Sequence, residues 1–319
     1  MHFCIKQLPS HELKQIIKIG TRESQLAVWQ ATLVQTLLKK NGIESELVFI
    51  KSEGDVDTVT PLYELGVQGI FTKTLDAALL NKRIDIAVHS MKDVPTQLAK
   101  GIQQAAVLKR GNYKDVLVFK NGCDFLEDQN STATIATSSI RRMAQWLHRY
   151  PKHFFENLRG NVNTRLQKVS EHNWNGAIFA AAGLERINLR PKNSVDLDWM
   201  LPAPAQGAIT IVCRNDDTFS FEVCNALNDE ATALCTKIER DFLRALMGGC
   251  STPISALAMV ENGIVIFKGN ICSTDGKKKI EVRKTAAVPN SYELGLIAAN
   301  EILANRGKEI METIRKNIS

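Results

Sequence analysis

Residues 16–40 read IIKIGTRESQLAVWQATLVQTLLKK. The segment opens on an apolar run of strand length, 16–19, turns through Gly20-Thr21-Arg22-Glu23-Ser24, and continues as a helix over 25–40. Leu26, Trp29, Leu33 and Leu37 recur three and four residues apart, the stripe an amphipathic helix buries. Asn41-Gly42 is the stop, because glycine just past a helix accepts the left-handed backbone that ends it. A strand over 46–51, a helix over 71–82 and an apolar strand over 84–89 follow. Strands alternating with helices predict parallel α/β units.

The order then recurs. A strand is expected over 134–136, a helix over 138–149, a strand over 154–158, a helix over 163–172 and a strand over 177–181. Two α/β lobes on one plan, facing each other, leave a crevice at the carboxyl ends of their strands, where open α/β sheets hold ligands. After Leu201-Pro202-Ala203-Pro204 the apolar run 208–213 returns as a strand that completes the first lobe. From Asp229 the texture changes. Leu234, Ile238, Phe242 and Leu246 mark a helix that ends at Gly248-Gly249. Three β-rich stretches, 254–260, 264–271 and 279–284, are joined by Asn262-Gly263 and Asp275-Gly276, both strong hairpin signals. Helices over 291–305 and 308–317, parted by Gly307, close the chain. The expected division is a first α/β lobe, 15–111 with 205–226, a second, 112–204, and an α+β C-terminal domain, 227–319, with an antiparallel three-stranded sheet.

The 319 residues are 44% hydrophobic and 23% charged, with a net charge of +6. That apolar content with so small a net charge excludes a disordered chain. No run of about 18 apolar residues reads as a membrane span. Residues 1–14 lack the apolar stretch of a secretory signal, so a cytoplasmic location is expected. A mild positive charge suits an acidic small molecule as well as nucleic acid. Cysteines 4, 123, 213, 224, 235, 250 and 272 are never spaced CxxC, so neither a metal site nor a disulfide framework is expected.

Four further stretches carry candidate chemistry. His89-Ser90-Met91-Lys92-Asp93-Val94-Pro95 follows the apolar strand. If Lys92 and Asp93 stay extended they point to opposite sides, and a carboxylate facing the cleft can steady a transient cation or move a proton. The plainer reading is a solvated turn closed by proline. Thr137-Ser138-Ser139-Ile140-Arg141-Arg142 places hydroxyls at a helix start, where backbone N–H groups attract anions. Two arginines in a first turn oppose the helix dipole, so a bound anion would account for them. Leu158-Arg159-Gly160-Asn161-Val162-Asn163-Thr164-Arg165 is a second strand-to-helix junction with bracketing arginines, and Gly20-Thr21-Arg22-Glu23-Ser24 is its counterpart in the first lobe. Such junctions suit several carboxylates or phosphates, which arginine binds bidentately. No GxxxxGK[ST] or GxGxxG occurs, which disfavours a nucleotide. Met247-Gly248-Gly249-Cys250-Ser251-Thr252-Pro253 puts a cysteine in a loop beyond a helix, a place that suits covalent attachment as well as simple packing.

GTRES, DIAVHSMKDVPT, ATSSIRRMAQ, LRGNVNTRL and GGCSTPI together resemble, in order and spacing, the porphobilinogen deaminase (hydroxymethylbilane synthase) family. The likeness runs from Ile17 to the C-terminal helices. It implies lobes like those of type II periplasmic binding proteins and a monomer. It also implies an activity that condenses four porphobilinogens head to tail, releasing ammonia, on a dipyrromethane cofactor. By position, Cys250 matches the cysteine that carries the cofactor through a thioether, and Asp93 the catalytic aspartate. Lys92, Thr137, Ser138, Ser139, Arg141, Arg142, Arg159 and Arg165 match residues that hold carboxylates of cofactor and substrate; Arg22, Ser24 and Ser90 match substrate contacts of the first lobe. Three positions depart from the family. Gln68 and Glu64 stand where lysines are usual, which shifts first-lobe binding toward residues such as Lys73, and Ala205 replaces a usual glycine before Gln206-Gly207. Without the resemblance, the arginines alone would also suit a non-catalytic two-lobed anion sensor, and the net charge a nucleic-acid binder.

Overall fold

The computed structural model describes residues 16–51, 72–128, 130–246 and 252–318. β1 (Ile17–Thr21) leads through the Ser24 N-cap into α1 (Gln25–Lys40), the helix bounds read from the apolar period. Lys39 and Lys40 close its last turn, where cations complement the dipole, and Gly42 follows at φ +78°. The fully buried face of α1 is Gln30, Ala31, Val34 and Leu38; the expected stripe of Leu26, Trp29, Leu33 and Leu37 lies half-buried beside it. Trp29, Leu33 and Leu37 still pack against the first-lobe core, while at the start of the helix Gln25 meets Asn163 of the second lobe at 3.0 Å and Arg186 lies 5.7 Å over the Trp29 ring.

β2 (Ser45–Phe49), α2 (Lys73–Leu80), β3 (Ile86–Ser90) and β4 (Ile102–Val107) continue the first lobe. The second contains β5 (Asp115–Phe119), β6 (Thr134–Ala136), α3 (Ile140–Arg149), β7 (Phe154–Glu156), α4 (Val162–Glu171), β8 (Gly176–Ala180), α5 (Ala181–Arg186) and β9 (Ser194–Asp196). The chain then returns as β10 (Ile209–Arg214) and α6 (Thr218–Asn225). The sheets run β2-β1-β3-β10-β4 and β7-β6-β8-β5-β9. In each, three strands are parallel, as expected: β1 pairs β2 and β3, and β6 pairs β7 and β8. One strand in each sheet is reversed, so β4 and β9 run in the direction of the parallel strands. β10 runs antiparallel between β3 and β4, with Thr210 opposite His89, and β5 runs antiparallel between β8 and β9. Both reversals follow from the crossings, since β5 and β10 each enter a sheet from the other lobe.

α7 (Glu230–Ala245), β11 (Ile254–Glu261), β12 (Ile264–Cys272), β13 (Lys279–Ala287), α8 (Leu294–Ile302) and α9 (Lys308–Ile318) complete the fold. β11-β12-β13 is the expected antiparallel sheet, turned at Asn262-Gly263 and by a longer loop through Asp275-Gly276. Ile238, Phe242 and Leu246 pack on it, with the Phe242 and Phe267 rings 5.2 Å apart. Gly269 is needed there, because a Cβ would stand 2.7 Å from the Phe242 ring.

One buried carboxylate joins the crossings to this domain. Glu239 on α7 is fully buried and takes the Arg110 guanidinium on both oxygens, at 2.6 and 3.1 Å. It also accepts from Ala205 N at 2.6 Å and Ala258 N at 2.7 Å, so its lone pairs are filled as burial demands. Ala205 sits at φ +62°, in the region glycine enters without strain.

Candidate active site

Three strand-to-helix junctions and one turn meet between the lobes. β3 ends at Ser90, whose hydroxyl accepts from Gln30 Nε2 at 2.8 Å. The chain then tightens into a 3-10 turn over Met91–Asp93, so Lys92 and Asp93 are not extended as the sequence reading supposed. Pro95 has no N–H to donate, so the strand cannot continue, and Val94 N bonds back to Met91 O at 3.2 Å. Lys92 Nζ reaches Gln206 Oε1 at 3.5 Å. Burial pushes its pKa down to about 8; Asp93 resists that shift and Arg142 adds to it. On the same strand His89 is buried, with Nε2 unpartnered, and burial followed by the Arg22 charge pushes it down to about 4. Arg22 and Ser24 are half-buried at the end of β1, and the Ser24 hydroxyl makes no capping bond.

In the second lobe Ser139, not Ser138, caps α3, its Oγ accepting from Arg142 N at 3.4 Å. Thr137 Oγ1 accepts from Ser139 N at 3.2 Å. Ser138 turns away to the neighbouring junction, with Oγ 2.7 Å from Leu158 O and 3.0 Å from Leu158 N. Gly160 follows at φ +110°, and Asn161 caps α4 through Thr164 N at 3.0 Å. Arg159 is buried, and Arg165 is half-buried with its Nε enclosed and without a hydrogen bond. Burial, then Arg142 and Arg159, push Arg165 down to about 10, against the pull of Asp93 from the first lobe.

The anion inferred for the first turn of α3 comes from the chain itself. Asp115, fully buried at the start of β5, lies 2.8 Å from Nη2 of Arg142 and 3.0 Å from its Nε. Its other oxygen forms an ion pair with Arg141 Nη2 at 2.8 Å, without hydrogen-bond alignment. Burial works to raise the Asp115 pKa, but Arg141 and Arg142 outweigh it and hold it at about 2. Arg141 also donates to Leu201 O at 2.7 Å and Arg142 to Ile178 O at 2.8 Å. Gln206, on the return crossing, donates to Asp115 Oδ1 at 3.0 Å and to Tyr113 O at 2.8 Å. Sequence reasoning missed Asp115 and Gln206. The signal for Asp115 was present: it is the one charged residue of the apolar strand DVLVF. Arg186, also missed, donates to Gly207 O at 2.6 Å, and burial pushes it down to about 10.

Cys250 lies outside the described residues, as do Glu64 and Gln68. Cys213, Cys224, Cys235 and Cys272 are buried, and burial raises each thiol to about 11 or 12, which makes them inert packing groups. Among the described residues no three His, Cys, Asp or Glu side chains converge on one point.

Lys92, Arg141, Arg142, Arg159 and Arg165 share one field, in which Asp93 and Asp115 are the offsetting acids among the described residues. With the enclosed Nε of Arg165, this surplus of cations fits a group that brings several carboxylates. The fold and the site thus define a two-lobed α/β protein with a cationic cleft around one half-buried aspartate.

Comparison with known proteins makes the class specific. Residues 17–222 match the family model described as porphobilinogen deaminase, dipyromethane cofactor binding domain, and residues 233–304 match the porphobilinogen deaminase C-terminal domain. A porphobilinogen deaminase of Chlorobium phaeobacteroides is 39% identical, covering 95% of this chain and 99% of its own. One from Desulforamulus reducens is 38% identical with the same coverage. Among solved structures, the Methionine Binding Protein MetQ superposes at TM-score 0.41 and 15% identity, over 66% of this chain and 89% of that one. The chain belongs to the porphobilinogen deaminase family, transferases of tetrapyrrole biosynthesis that use a dipyrromethane cofactor.

Proposed function

We propose that the cleft residues divide the family reaction among them as follows. Asp93 offsets the positive charge that develops on the porphobilinogen ring as its aminomethyl group loses ammonia, leaving an azafulvenium that keeps the methylene carbon. Arg22, Ser24 and Ser90 orient the incoming substrate from the first lobe. Arg159 and Arg165 grip its carboxylates from the second. Lys92, Thr137, Ser138, Ser139, Arg141, Arg142 and Arg159 hold the dipyrromethane carboxylates, and Cys250 carries the group as a thioether. When bound, dipyrromethane would supply the free pyrrole carbon that takes the first ring, and each later ring would join the one added before it. After four condensations, addition of water at the bond between dipyrromethane and the first added ring would free hydroxymethylbilane and leave the cofactor on the chain.

The observation that carries this reading is the bridge between the lobes: Lys92, beside Asp93 on the first-lobe turn, reaches Gln206 at 3.5 Å, and Gln206 donates at 3.0 Å to Asp115, which pairs with Arg141 and Arg142. Arg141 and Arg142 contribute charge rather than free donors, because Asp115 already occupies part of each guanidinium. Ser90, bonded to Gln30, contributes its remaining hydroxyl capacity. The same reading takes the chain as a cytoplasmic monomer, divided at 15–111 with 205–226, 112–204 and 227–319. No helix of the described residues is long and apolar enough to cross a membrane.

The test is the intact mass of the protein before and after incubation with porphobilinogen. A covalent increment of two pyrrole units, lost in Cys250→Ser, with stepwise additions on incubation, supports the assignment. An unmodified wild-type mass that stays unmodified contradicts it and favours a non-catalytic anion sensor. Sedimentation of the loaded protein tests the monomer.

A further inference from the structure

The turn that carries Asp93 is held from another domain. Arg240, on α7, donates through Nη1 to Met91 O at 3.2 Å and Val94 O at 2.9 Å, and through Nη2 to Pro95 O at 2.5 Å. These carbonyls bracket Lys92 and Asp93. A three-residue 3-10 turn has little internal support: its closing bond, Val94 N to Met91 O, is 3.2 Å long, and Pro95 cannot add a donor. A planar, permanently charged fork reaching three carbonyls is therefore the tertiary clamp that fixes the turn. α7 is also the helix from which the chain runs on to Cys250, a few residues past Ala245.

We propose that Arg240 is a positioning residue for the family reaction: it holds the Asp93 turn in one conformation, so that the carboxylate meets the developing cation at fixed range. This rests on the role proposed for Asp93. Arg240 touches neither substrate nor cofactor on this account; it acts through the backbone of residues 91–95. Its loss leaves binding groups such as Arg159 and Arg165 in place, so the damage falls on the chemical step. Displacement of a catalytic group by about 1 Å costs up to about 100-fold in rate.

The surroundings offer a direct test. Arg240 borders a cavity of about 710 Å³ between the first lobe and the C-terminal domain, lined also by Met91, Val94, Leu234 and Tyr292. In Arg240→Ala that cavity gives a small guanidinium access to the vacated place. Holoenzyme carrying Arg240→Ala is expected to keep its dipyrromethane mass and a KM within about 3-fold of wild type, while kcat falls at least about 10-fold. Ethylguanidinium at tens of millimolar, well below denaturing levels, restores at least about half of that loss on a logarithmic scale, whereas ethylammonium restores less. Unchanged kcat, or a loss that ethylguanidinium does not recover, overturns the proposal. Should Arg240→Ala fail to fold, Arg240→Lys retains the stem and charge but not the fork, and its kcat should fall at least about 3-fold at unchanged KM; wild-type kcat there overturns the proposal equally. Asp93→Asn run alongside separates the two assignments: normal turnover in that variant removes the role of Asp93, whereas an inactive Asp93→Asn beside a fully active Arg240→Lys and Arg240→Ala removes only that of Arg240.

Discussion

The Asp115 carboxylate lies 2.8 Å from Arg142 Nη2 in a place where both side chains are almost wholly shielded from water. Arg141 meets the other oxygen at the same distance, so one buried anion serves two buried cations. Removing the anion while keeping its shape leaves two desolvated guanidiniums facing each other. Asp115→Asn should therefore destabilise the fold by about 3–5 kcal/mol, the range for a broken buried ion pair. Urea unfolding measures it. A loss below about 1 kcal/mol would mean that Arg141 and Arg142 reach solvent or another anion once Asp115 is neutral.

Asp93→Asn should behave in the opposite way. Asp93 is half-buried on a turn and forms no ion pair with a cation among the described residues, so the variant keeps its fold. Turnover should drop by about 100-fold or more, because the charge that meets the developing cation is gone while its shape remains. Single-turnover kinetics with loaded enzyme read this directly; a rate within a few-fold of wild type would move the charge-stabilising role elsewhere.

Lys92 gives a pH prediction that does not depend on turnover. Burial brings its pKa to about 8, so in protein lacking the cofactor the amine becomes neutral just above physiological pH. Carboxylates brought by dipyrromethane favour the charged form and should move the titration upward. Competitive acylation in the Cys250→Ser protein, followed by peptide mass, should show Lys92 reactivity half-maximal near pH 8. In loaded protein the midpoint should be higher. Equal midpoints in the two forms would place Lys92 out of reach of the cofactor carboxylates.

Much of the fold was legible because its signals are local. The apolar period of 25–40 and the stop at Asn41-Gly42 gave α1 to the residue, and Asn262-Gly263 placed a hairpin. Strand direction in β5 and β10 was not legible, since it depends on where the chain crosses between lobes and periodicity carries no such record. The cleft shows the same division. Arg141, Arg142, Arg159 and Arg165 stood out by residue type at strand-to-helix junctions. Their partners did not: Asp115 is over twenty residues from Arg141 in sequence, and Gln206 over ninety from Asp115. The 3-10 turn at Lys92 escaped because its support, Arg240, comes from a helix nearly 150 residues away.

His89 sets how stability responds to acid. Its folded pKa, about 4, lies below the ordinary value of 6.5, because burial disfavours the imidazolium and Arg22 repels it. The unfolded chain therefore binds the proton more readily, and the stabilisation is complete above pH 6.5 and is lost as pH falls from 6.5 toward 4. At about 1.4 kcal/mol per unit the whole effect is at most about 3.5 kcal/mol. His153 adds in the same direction, its pKa lowered by burial. Urea midpoints at pH 7 and pH 4.5 should differ less in His89→Gln than in wild type, and equal acid sensitivity would assign the effect to other groups.

Ala205→Gly tests what the departure from the family costs. A non-glycine residue at φ +62° carries strain of about 1–2 kcal/mol, which glycine relieves. Two effects oppose this. Glycine adds about 0.5–1 kcal/mol of unfolded-chain entropy. The Ala205 methyl, fully buried among Met91, Val107 and Ala208, contributes about 0.8 kcal/mol of apolar burial that would be lost. The terms nearly cancel, so Ala205→Gly should change stability by less than about 1 kcal/mol in urea. The Ala205 N–H bond to Glu239 survives either way, since it belongs to the backbone. A stabilisation above about 2 kcal/mol would mean that the alanine holds the return crossing under strain which the methyl contacts do not offset.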